Sequence, residues 1–248
     1  MSSHPPAIDA HNSALFLDVD GTLLDIEEHP DDVVADDEII SLLLALQTEL
    51  DAAIALVSGR TIEEIDRVFS PHRFPAAGEH GARIRWPDGS IEATEHDALP
   101  ESVIERAMSF ATERKELLLE KKSAGVALHY RAAPHMQAEC RRFMKSLQAD
   151  IGDGVRLLEG KMVFELTPGG SNKGAAVSAF LAAPPFKDQL PVYIGDDVTD
   201  EDAFDAVNRA GGYSVRVGHG DETAARYALP DVAAVRQWLA DATRSADE

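Results

Sequence analysis

Short apolar runs alternate with amphipathic segments along most of the chain. Residues 14–17, 53–57 and 192–194 are almost purely apolar, which is typical of strands buried on both faces of a parallel sheet. Apolar stripes at helical spacing, led by the acidic Asp36 or by a capping box of Thr61 and Glu64, predict helices between these runs. Further helices are predicted around residues 203–207 and 232–239. The alternation predicts an α/β fold with a Rossmann-like, doubly wound parallel sheet.

The middle of the chain has a different pattern. Residues 84–91 surround a Pro-Asp-Gly turn and predict a hairpin. Residues 126–131 have a period of two that predicts a half-exposed strand, while the rest of 99–171 supplies two helices and two more strands. We therefore expect a separate α/β module at 99–171, inserted into a core made of 1–98 and 172–248.

Charge and composition exclude several kinds of partner. The chain has 44 acidic and 23 basic residues, and the resulting charge of -21 would repel nucleic acid and anionic membranes. It would also repel a phosphorylated substrate, so an anion site must be locally basic or must carry a cation. One cysteine, no apolar run long enough to span a membrane and no signal-like N-terminus predict a cytoplasmic protein. A monomer is the default expectation.

The strongest local motif is Asp18-Val19-Asp20-Gly21-Thr22, directly after the first apolar run. Strand ends at the switch point of a parallel sheet bind ligands, and two carboxylates this close favour a shared cation. Oxygen ligands select a hard ion such as Mg²⁺, and Gly21 allows the backbone to approach a phosphate. An ordinary turn is the alternative, but the position after a buried strand favours a functional site.

An acidic run follows the third apolar run, at residues 195–202. Asp196 comes first after the strand and is expected to face Asp18 and complete a metal site. Asp197 and Asp200 are secondary candidates. Glu201 and Asp202 are interpreted as acidic residues that suit a helix N-terminus.

Two weaker motifs supply the groups that an anion needs. Ser58-Gly59-Arg60 offers a hydroxyl and backbone amides at a helix start, and Lys173 offers a positive charge before an alanine-rich helix. Alone, the first could be a plain turn and the second a solvated surface lysine. All four motifs fall at strand ends or helix starts, and this shared placement indicates one site.

Together the four motifs resemble those of the haloacid dehalogenase superfamily. The resemblance implies a Rossmann-like core with a cap inserted between the Ser58 and Lys173 motifs, which agrees with the module at 99–171. The chain further resembles the trehalose-6-phosphate phosphatases, from about Ala14 to Val217. The segments that carry this second resemblance are Glu79-His80-Gly81, Glu120-Lys121-Lys122, His129-Tyr130-Arg131, Glu165 with Pro168, and residues 195–201.

The resemblance implies a Mg²⁺-dependent phosphatase for a sugar phosphate. The hypothesis makes Asp18 the nucleophile and Asp20 the acid and base, with Ser58 and Lys173 offsetting phosphoryl charge. The expected metal residues are Asp18, Asp20 (through its carbonyl), Asp196 and Asp197. The expected substrate residues are Thr22, Arg60, Glu79, His80, Gly81, Lys122, Arg131 and Glu165.

Several alternatives stay open at this point. Lys121 could replace Lys122, although the spacing to Arg131 favours Lys122, and both Lys122 and Arg131 could be surface charges on an exposed strand. The substrate could be sucrose 6-phosphate or mannosyl-phosphoglycerate. A module that binds metal or phosphate without turnover is a third possibility, although a nucleophile paired with an acid argues against it.

Overall fold

The protein is described here by a computed structural model that covers residues 4–27, 32–93, 99–122, 125–152, 154–170, 172–219 and 222–244. The chain forms two compact units, one from Met1–Ala93 with Asn172–Glu248 and one from Thr94–Ser171. The first unit gives way to the second after Ala93, near the boundary at residue 98 that was expected from sequence. Residues 94–98 lie outside the described ranges.

The strands and helices of the described residues are numbered in chain order. The strands are β1 (Ser13–Leu17), β2 (Ile54–Val57), β3 (Ala76–Gly78), β4 (Arg83–Arg85), β5 (Ile91–Ala93), β6 (Leu118–Lys121), β7 (Val126–His129), β8 (Val155–Gly160), β9 (Val163–Pro168), β10 (Leu190–Gly195), β11 (Tyr213–Val217) and β12 (Tyr227–Leu229). The helices are α1 (Asp37–Glu49), α2 (Ile62–Val68), α3 (Glu101–Thr112), α4 (Gln137–Ile151), α5 (Lys173–Leu181), α6 (Glu201–Arg209) and α7 (Val232–Arg244).

The first unit is built on one sheet with the strand order β12-β11-β10-β1-β2-β3-β4-β5. The six strands from β12 to β3 run parallel, and the β4–β5 hairpin adds an antiparallel edge. From β1 the chain proceeds through β2 and β3 to one side, whereas β10, β11 and β12 lie on the other. The switch point of the sheet is therefore between β1 and β10, where a ligand site is expected.

Local sequence explains where the core helices begin. The Asp36 carboxylate accepts a hydrogen bond from the Ile39 amide at 2.8 Å at the start of α1. Thr61 and Glu64 form the predicted capping box at the start of α2. Helix α1 packs on α7 and α5 packs on α6. The predicted parallel α/β core is confirmed.

Aromatic packing fills the interior beneath the central strand. Phe16 on β1 is fully buried, and its ring centroid lies 5.5 Å from that of Phe186 and 6.0 Å from that of Phe180. Residues 13–17 are all buried, as expected for a central parallel strand covered on both faces. The strand that leads to the first motif is thus held rigidly on both sides.

The second unit is an antiparallel sheet in the order β6-β7-β9-β8, with α3 and α4 packed against it. Val126 and Leu128 of β7, with Phe164 and Leu166 of β9, point to the helices and form a second apolar cluster. The predicted arrangement of helices against an open sheet is confirmed.

Two details of this unit differ from the sequence prediction. Strand β6 was not predicted, because Leu118–Lys121 contains as many charged as apolar residues. Residues 126–128 of β7 are all buried, so the prediction of a half-exposed strand was wrong. The strand ends at His129, and Arg131 lies in the turn that follows. The second face of β7 carries the small apolar Ala127, which is buried as well. The period of two in this segment was therefore a misleading signal of exposure.

Within the ranges that the structure describes, no helix has both the length and the apolar character needed to cross a bilayer.

Candidate active site

Two buried acids face each other across the switch point of the core sheet. Asp18 directly follows β1 and Asp196 directly follows β10, and the Asp18 amide donates to the Ile194 carbonyl at 3.0 Å. Parallel pairing brings both strand ends to the same edge. Carboxylate oxygens of Asp18, Asp196 and Asp200 all lie within 4.8 Å of one another. The structure thus brings together residues almost 180 positions apart, as the sequence hypothesis expected for Asp18 and Asp196.

Gly21 lets the first motif fold against the second acid. Its φ is +82°, and a Cβ built there would collide with the Asp196 carboxylate, approaching its Cγ to 2.7 Å. A side chain is thus excluded both by conformation and by space. The neighbour that the structure shows at Gly21 is Asp196, and the approach to a phosphate that the sequence predicted there stays a prediction.

Lys173 neutralises part of this acidic cluster. It is the first residue of α5, whose N-cap Asn172 accepts from the Ala175 amide at 2.7 Å. The Lys173 side chain is 3% exposed, and its ammonium donates to Asp18 Oδ1 at 2.7 Å and to Asp200 Oδ1 at 2.6 Å. Burial acts to lower the pKa of Lys173, but the charges of Asp18 and Asp200 outweigh it and raise that pKa. The alternative of a solvated surface lysine was therefore wrong.

The acidic cluster is electrostatically suited to a cation. Burial raises the pKa of Asp18, and although Lys173 opposes this effect, Asp200 and Asp196 raise the pKa further. Three clustered carboxylates with one lysine leave net negative charge in a buried site, which a bound divalent ion would offset. The donors are oxygen atoms only, the set that hard ions prefer.

Four hydrogen-bond donors hold the Asp200 carboxylate in place. Its Oδ1 accepts from Lys173 and from the Tyr193 hydroxyl at 2.7 Å. Its Oδ2 accepts from the amides of Asp196 at 3.0 Å and Asp197 at 2.9 Å. Because these bonds occupy both oxygens, Asp18 and Asp196 are better candidates for metal ligands than Asp200.

The structure does not place Asp197 with the other acids. Its Oδ1 accepts from the Val198 amide at 2.7 Å, which caps the short 3-10 helix Val198–Asp200. Its side chain is therefore used for capping, and the cluster of acids within 4.8 Å of one another contains Asp200 in its place. The sequence alone could not separate these two acids, because both follow the same strand.

Arg60 and Asp20 form a two-pronged ion pair. Arg60 Nε donates to Asp20 Oδ2 at 2.7 Å and a terminal nitrogen donates to Oδ1 at 2.6 Å. The Ser58 hydroxyl, which is buried, accepts from the Arg60 amide at 3.1 Å. The motif that follows β2 therefore contacts the motif that follows β1. The side chain of Asp20 points to Arg60, and the cluster of acids around Lys173 does not include it.

The segment Glu79-His80-Gly81 joins the same edge of the sheet. It follows β3, and the Glu79 and His80 amides donate to the carbonyls of Arg60 at 2.8 Å and Ser58 at 3.0 Å. Gly81 has a φ of +97°, and a Cβ there would lie 2.7 Å from the Asn172 carbonyl oxygen at the start of α5. The segment therefore bridges the Ser58 loop and the Lys173 helix.

Thr22 lies at the inner side of the first motif. The residue is fully buried, and its hydroxyl has no hydrogen-bond partner among the described residues. Its amide donates to the Val19 carbonyl at 3.4 Å. The core-side residues that the sequence assigned to substrate binding, Thr22, Arg60, Glu79, His80 and Gly81, thus lie after three neighbouring strands, β1, β2 and β3.

A separate charged group lies on the sheet of the second unit. Lys122 Nζ donates to Glu165 Oε2 at 3.1 Å and lies 3.9 Å from Glu120 Oε1, while Glu120 Oε2 is 3.0 Å from His129 Nε2. Lys122 and Glu165 are both buried. Burial raises the pKa of Glu120, but the hydrogen bond from His129 and the charge of Lys122 outweigh it, so that this pKa lies below its ordinary value.

Geometry separates the two candidate lysines. Lys121 is exposed and pairs with the exposed Glu101 at 3.4 Å, whereas Lys122 is the buried partner of Glu165. The alternative of a surface charge was therefore wrong for Lys122. Arg131 is partly buried in the turn after β7.

Sequence reasoning missed two polar contacts. Tyr193 was counted in an apolar strand, although a single hydroxyl within such a run was a usable signal. His129 was given no role of its own from sequence, although its Nε2 lies 3.0 Å from Glu120 Oε2.

A buried carboxylate at the switch point is held by a lysine and faces further acids, an arrangement whose chemistry is compatible with phosphoryl transfer. The fold and this site define a phosphatase of the haloacid dehalogenase class. Among solved structures, a haloacid dehalogenase-like hydrolase from B. subtilis shares the fold at a TM-score of 0.65 with 14% identity, over 92% of this chain and 99% of that one.

Closer matches define the family. The trehalose-phosphatase family model matches residues 16–233. A probable trehalose-phosphate phosphatase of Sinorhizobium fredii is 44% identical, over 85% of this chain and 79% of that protein. The trehalose-6-phosphate phosphatase of Escherichia coli is 40% identical, over 91% and 85%. A solved trehalose-6-phosphate phosphatase related protein has a TM-score of 0.78 and 28% identity, over 94% and 98%. The chain belongs to the trehalose-phosphatase family and is a phosphoric monoester hydrolase.

The contact between Gly21 and Asp196 can be tested with a matched pair of glycines. Gly21→Ala should reduce the turnover of p-nitrophenyl phosphate at least about 10-fold, because the new methyl group displaces Asp196. Gly89→Ala is the control, since Gly89 has a similar φ of +85° and no atom lies within 4 Å of the position that its new methyl group would take. Equal losses of turnover in the two variants would contradict a role for the Asp196 contact, because backbone strain alone would then explain the effect.

Proposed function

We propose that the protein hydrolyses trehalose 6-phosphate to trehalose and phosphate, the last step of trehalose biosynthesis, through an aspartyl phosphate on Asp18. The observation that carries the mechanism is the buried Asp18 carboxylate, paired with Lys173 at 2.7 Å at the switch point of the sheet. The substrate is supported by the names of the relatives that are 40% and 44% identical over most of the chain.

In the first half of the reaction, an Asp18 oxygen attacks phosphorus and the bond from phosphorus to the sugar oxygen breaks. Asp20 gives its proton to the departing sugar oxygen. For this step Asp20 must exchange its contact with Arg60 for the leaving group, and Arg60 can then face the phosphoryl oxygens.

In the second half, Asp20 takes a proton from water as the water oxygen attacks the phosphorus of the aspartyl phosphate. The bond between phosphorus and Asp18 breaks, which releases phosphate and restores the carboxylate. Ser58 and Lys173 bind the transferring group in both halves, and the rigid ammonium needs little reorganisation because it is already held by Asp18 and Asp200.

We propose Mg²⁺ as the cofactor, held by Asp18, the Asp20 carbonyl and Asp196. When bound, the ion would supply positive charge that favours phosphoryl transfer to Asp18. The buried, oxygen-only cluster and the raised pKa of Asp18 support a divalent ion there.

We propose that the second unit acts as the cap and reads the sugar. Lys122, Glu165 and Arg131 are its candidate substrate residues, and the pairing of Lys122 with Glu165 keeps both heads in defined positions for hydroxyl groups. On the core side, Thr22, Glu79, His80 and Gly81 complete the set. A monomer in the cytoplasm that binds neither nucleic acid nor membrane remains the expectation from charge and composition.

Replacement of the nucleophile tests the covalent mechanism. Asp18→Asn should lower phosphate release from trehalose 6-phosphate at least about 10³-fold, because the amide cannot attack phosphorus. With p-nitrophenyl phosphate, whose leaving group departs without a proton, Asp20→Asn should leave a phosphoryl group on the Asp18 peptide in acid-quenched mass spectrometry. Asp25→Asn, at an exposed acid in the same loop, is the control. Near-normal turnover by Asp18→Asn would refute the mechanism, and faster release from sucrose 6-phosphate or glucose 6-phosphate would refute the substrate.

Metal binding can be measured without activity. Mg²⁺ at about 100 times its Kd should stabilise the EDTA-treated protein by about 2.7 kcal/mol, seen as a higher Tm. Asp196→Asn should abolish most of this shift, whereas Asp197→Asn should retain it, because Asp197 caps a helix. The reverse pattern would make Asp197 rather than Asp196 the ligand, whereas the sequence named Asp196 first and Asp197 as a secondary candidate.

The adjacent lysines of the second unit form a natural pair of variants. Lys122→Met should raise KM for trehalose 6-phosphate about 10-fold, through loss of a charge-assisted hydrogen bond to the sugar. Lys121→Met should have little effect, since Lys121 is exposed. Turnover of p-nitrophenyl phosphate, which has no sugar, should be nearly unchanged in both. Equal KM values for the two variants would contradict a role for Lys122 in sugar binding.

A further inference from the structure

The hydroxyl of Tyr193 is a polar group at the centre of the core sheet. Tyr193 lies on β10, in register with Phe16 on β1 and Ser214 on β11. The side chain is fully buried, and its ring meets that of Phe204 edge-on at 5.7 Å. Phenylalanine would satisfy the packing alone, so the hydroxyl needs a different explanation.

That hydroxyl shares an acceptor atom with the site lysine. Tyr193 donates to Asp200 Oδ1 at 2.7 Å, and Lys173 Nζ donates to the same oxygen at 2.6 Å. Asp200 is completely buried, and its other oxygen is held by two backbone amides of the loop that carries Asp196. The orientation of Asp200 is thereby set from two directions.

The Lys173 ammonium donates hydrogen bonds to two carboxylates. Its distances to Asp18 and Asp200 are nearly equal, at 2.7 Å and 2.6 Å. A hydrogen bond from Tyr193 takes up acceptor capacity on Asp200 Oδ1 and so weakens its attraction for the ammonium. Without that bond, Asp200 would attract Lys173 more strongly and could rotate about its remaining contacts.

We infer that Tyr193 is a positioning residue for phosphoryl transfer, whose hydroxyl holds Asp200 so that Lys173 stays on Asp18. The inference rests on the proposed function only in taking Asp18 as the nucleophile. The Tyr193 hydroxyl donates to Asp200, so its proposed effect on the nucleophile is transmitted through Asp200 and Lys173.

The tyrosine remains a donor over the range in which the enzyme would be assayed. Burial raises the pKa of Tyr193, and the charges of Asp200 and Asp18 raise it further. The hydroxyl therefore keeps its proton and acts as a fixed dipole.

The experiment compares two buried tyrosines of neighbouring parallel strands. Tyr193→Phe should lower kcat for p-nitrophenyl phosphate about 10-fold while KM changes less than about 2-fold, as expected when a hydrogen bond to a charged group is lost from a preorganised site. Tyr213→Phe is the matched control, because the buried Tyr213 hydroxyl has no hydrogen-bond partner among the described residues. A kcat for Tyr193→Phe within about 2-fold of wild type, or an equal fall in Tyr213→Phe, would overturn the inference.

A double-mutant cycle asks whether Tyr193 acts through Asp200. The kcat of Asp200→Asn should fall little further when Tyr193→Phe is added, whereas independent effects would multiply and contradict the inference. If circular dichroism shows that Tyr193→Phe does not fold, 3-fluorotyrosine at position 193 keeps the ring and makes the hydroxyl a stronger donor. It should then change kcat with KM unaltered, and an unchanged kcat would count against the inference.

The choice of substrate keeps this test separate from the proposed function. Because p-nitrophenyl phosphate lacks a sugar, an error in the natural substrate leaves the comparison valid. Retained activity of Asp18→Asn would refute the covalent mechanism whatever Tyr193→Phe does.

Discussion

The buried ammonium of Lys173 is the interaction on which the site depends. Asp18 and Asp200 are both almost fully excluded from solvent, and neither could remain charged there at low cost without a cation beside it. Lys173 binds both, and loss of one partner from such a buried group costs about 3–5 kcal/mol in other proteins. The same contact keeps a positive charge beside Asp18, the residue proposed above as the nucleophile.

The sheet supplies the geometry that this pairing needs. Strands β1 and β10 are parallel neighbours at the switch point, so that Asp18 and Asp196 emerge side by side at one edge. Close approach is then completed by glycines, since Gly21 and Gly195 each lie where a Cβ would strike an acid of the cluster. Backbone amides and the Tyr193 hydroxyl orient Asp200 in turn. The charges are therefore fixed before any substrate arrives, which is the condition for effective electrostatic stabilisation.

The second unit carries a group of paired charges on one face of its sheet. Its antiparallel sheet buries apolar side chains of alternate positions against α3 and α4 and carries Glu120, Lys122, His129 and Glu165 among the other positions. The paired charges of this group satisfy one another and so tolerate burial. Charged and polar groups held in fixed positions suit the recognition of sugar hydroxyls, which is the role proposed above for this unit, whereas the role proposed for the core site is phosphoryl transfer.

The sequence by itself determined the parallel core, the inserted module and the membership of Asp18, Asp196 and Lys173 in one site. It could do so because buried strands and their terminal motifs are local patterns, and parallel pairing brings strand ends together. Only the tertiary structure showed that Asp200 rather than Asp197 joins the cluster, that Arg60 pairs with Asp20, and that Lys122 rather than Lys121 is buried. Two of these are choices between neighbours in sequence, whereas Arg60 and Asp20 are 40 positions apart. All three depend on the direction in which each side chain points and on which donors it meets. Composition does not encode that information, and sequence spacing favoured Lys122 over Lys121 without showing which of them is buried.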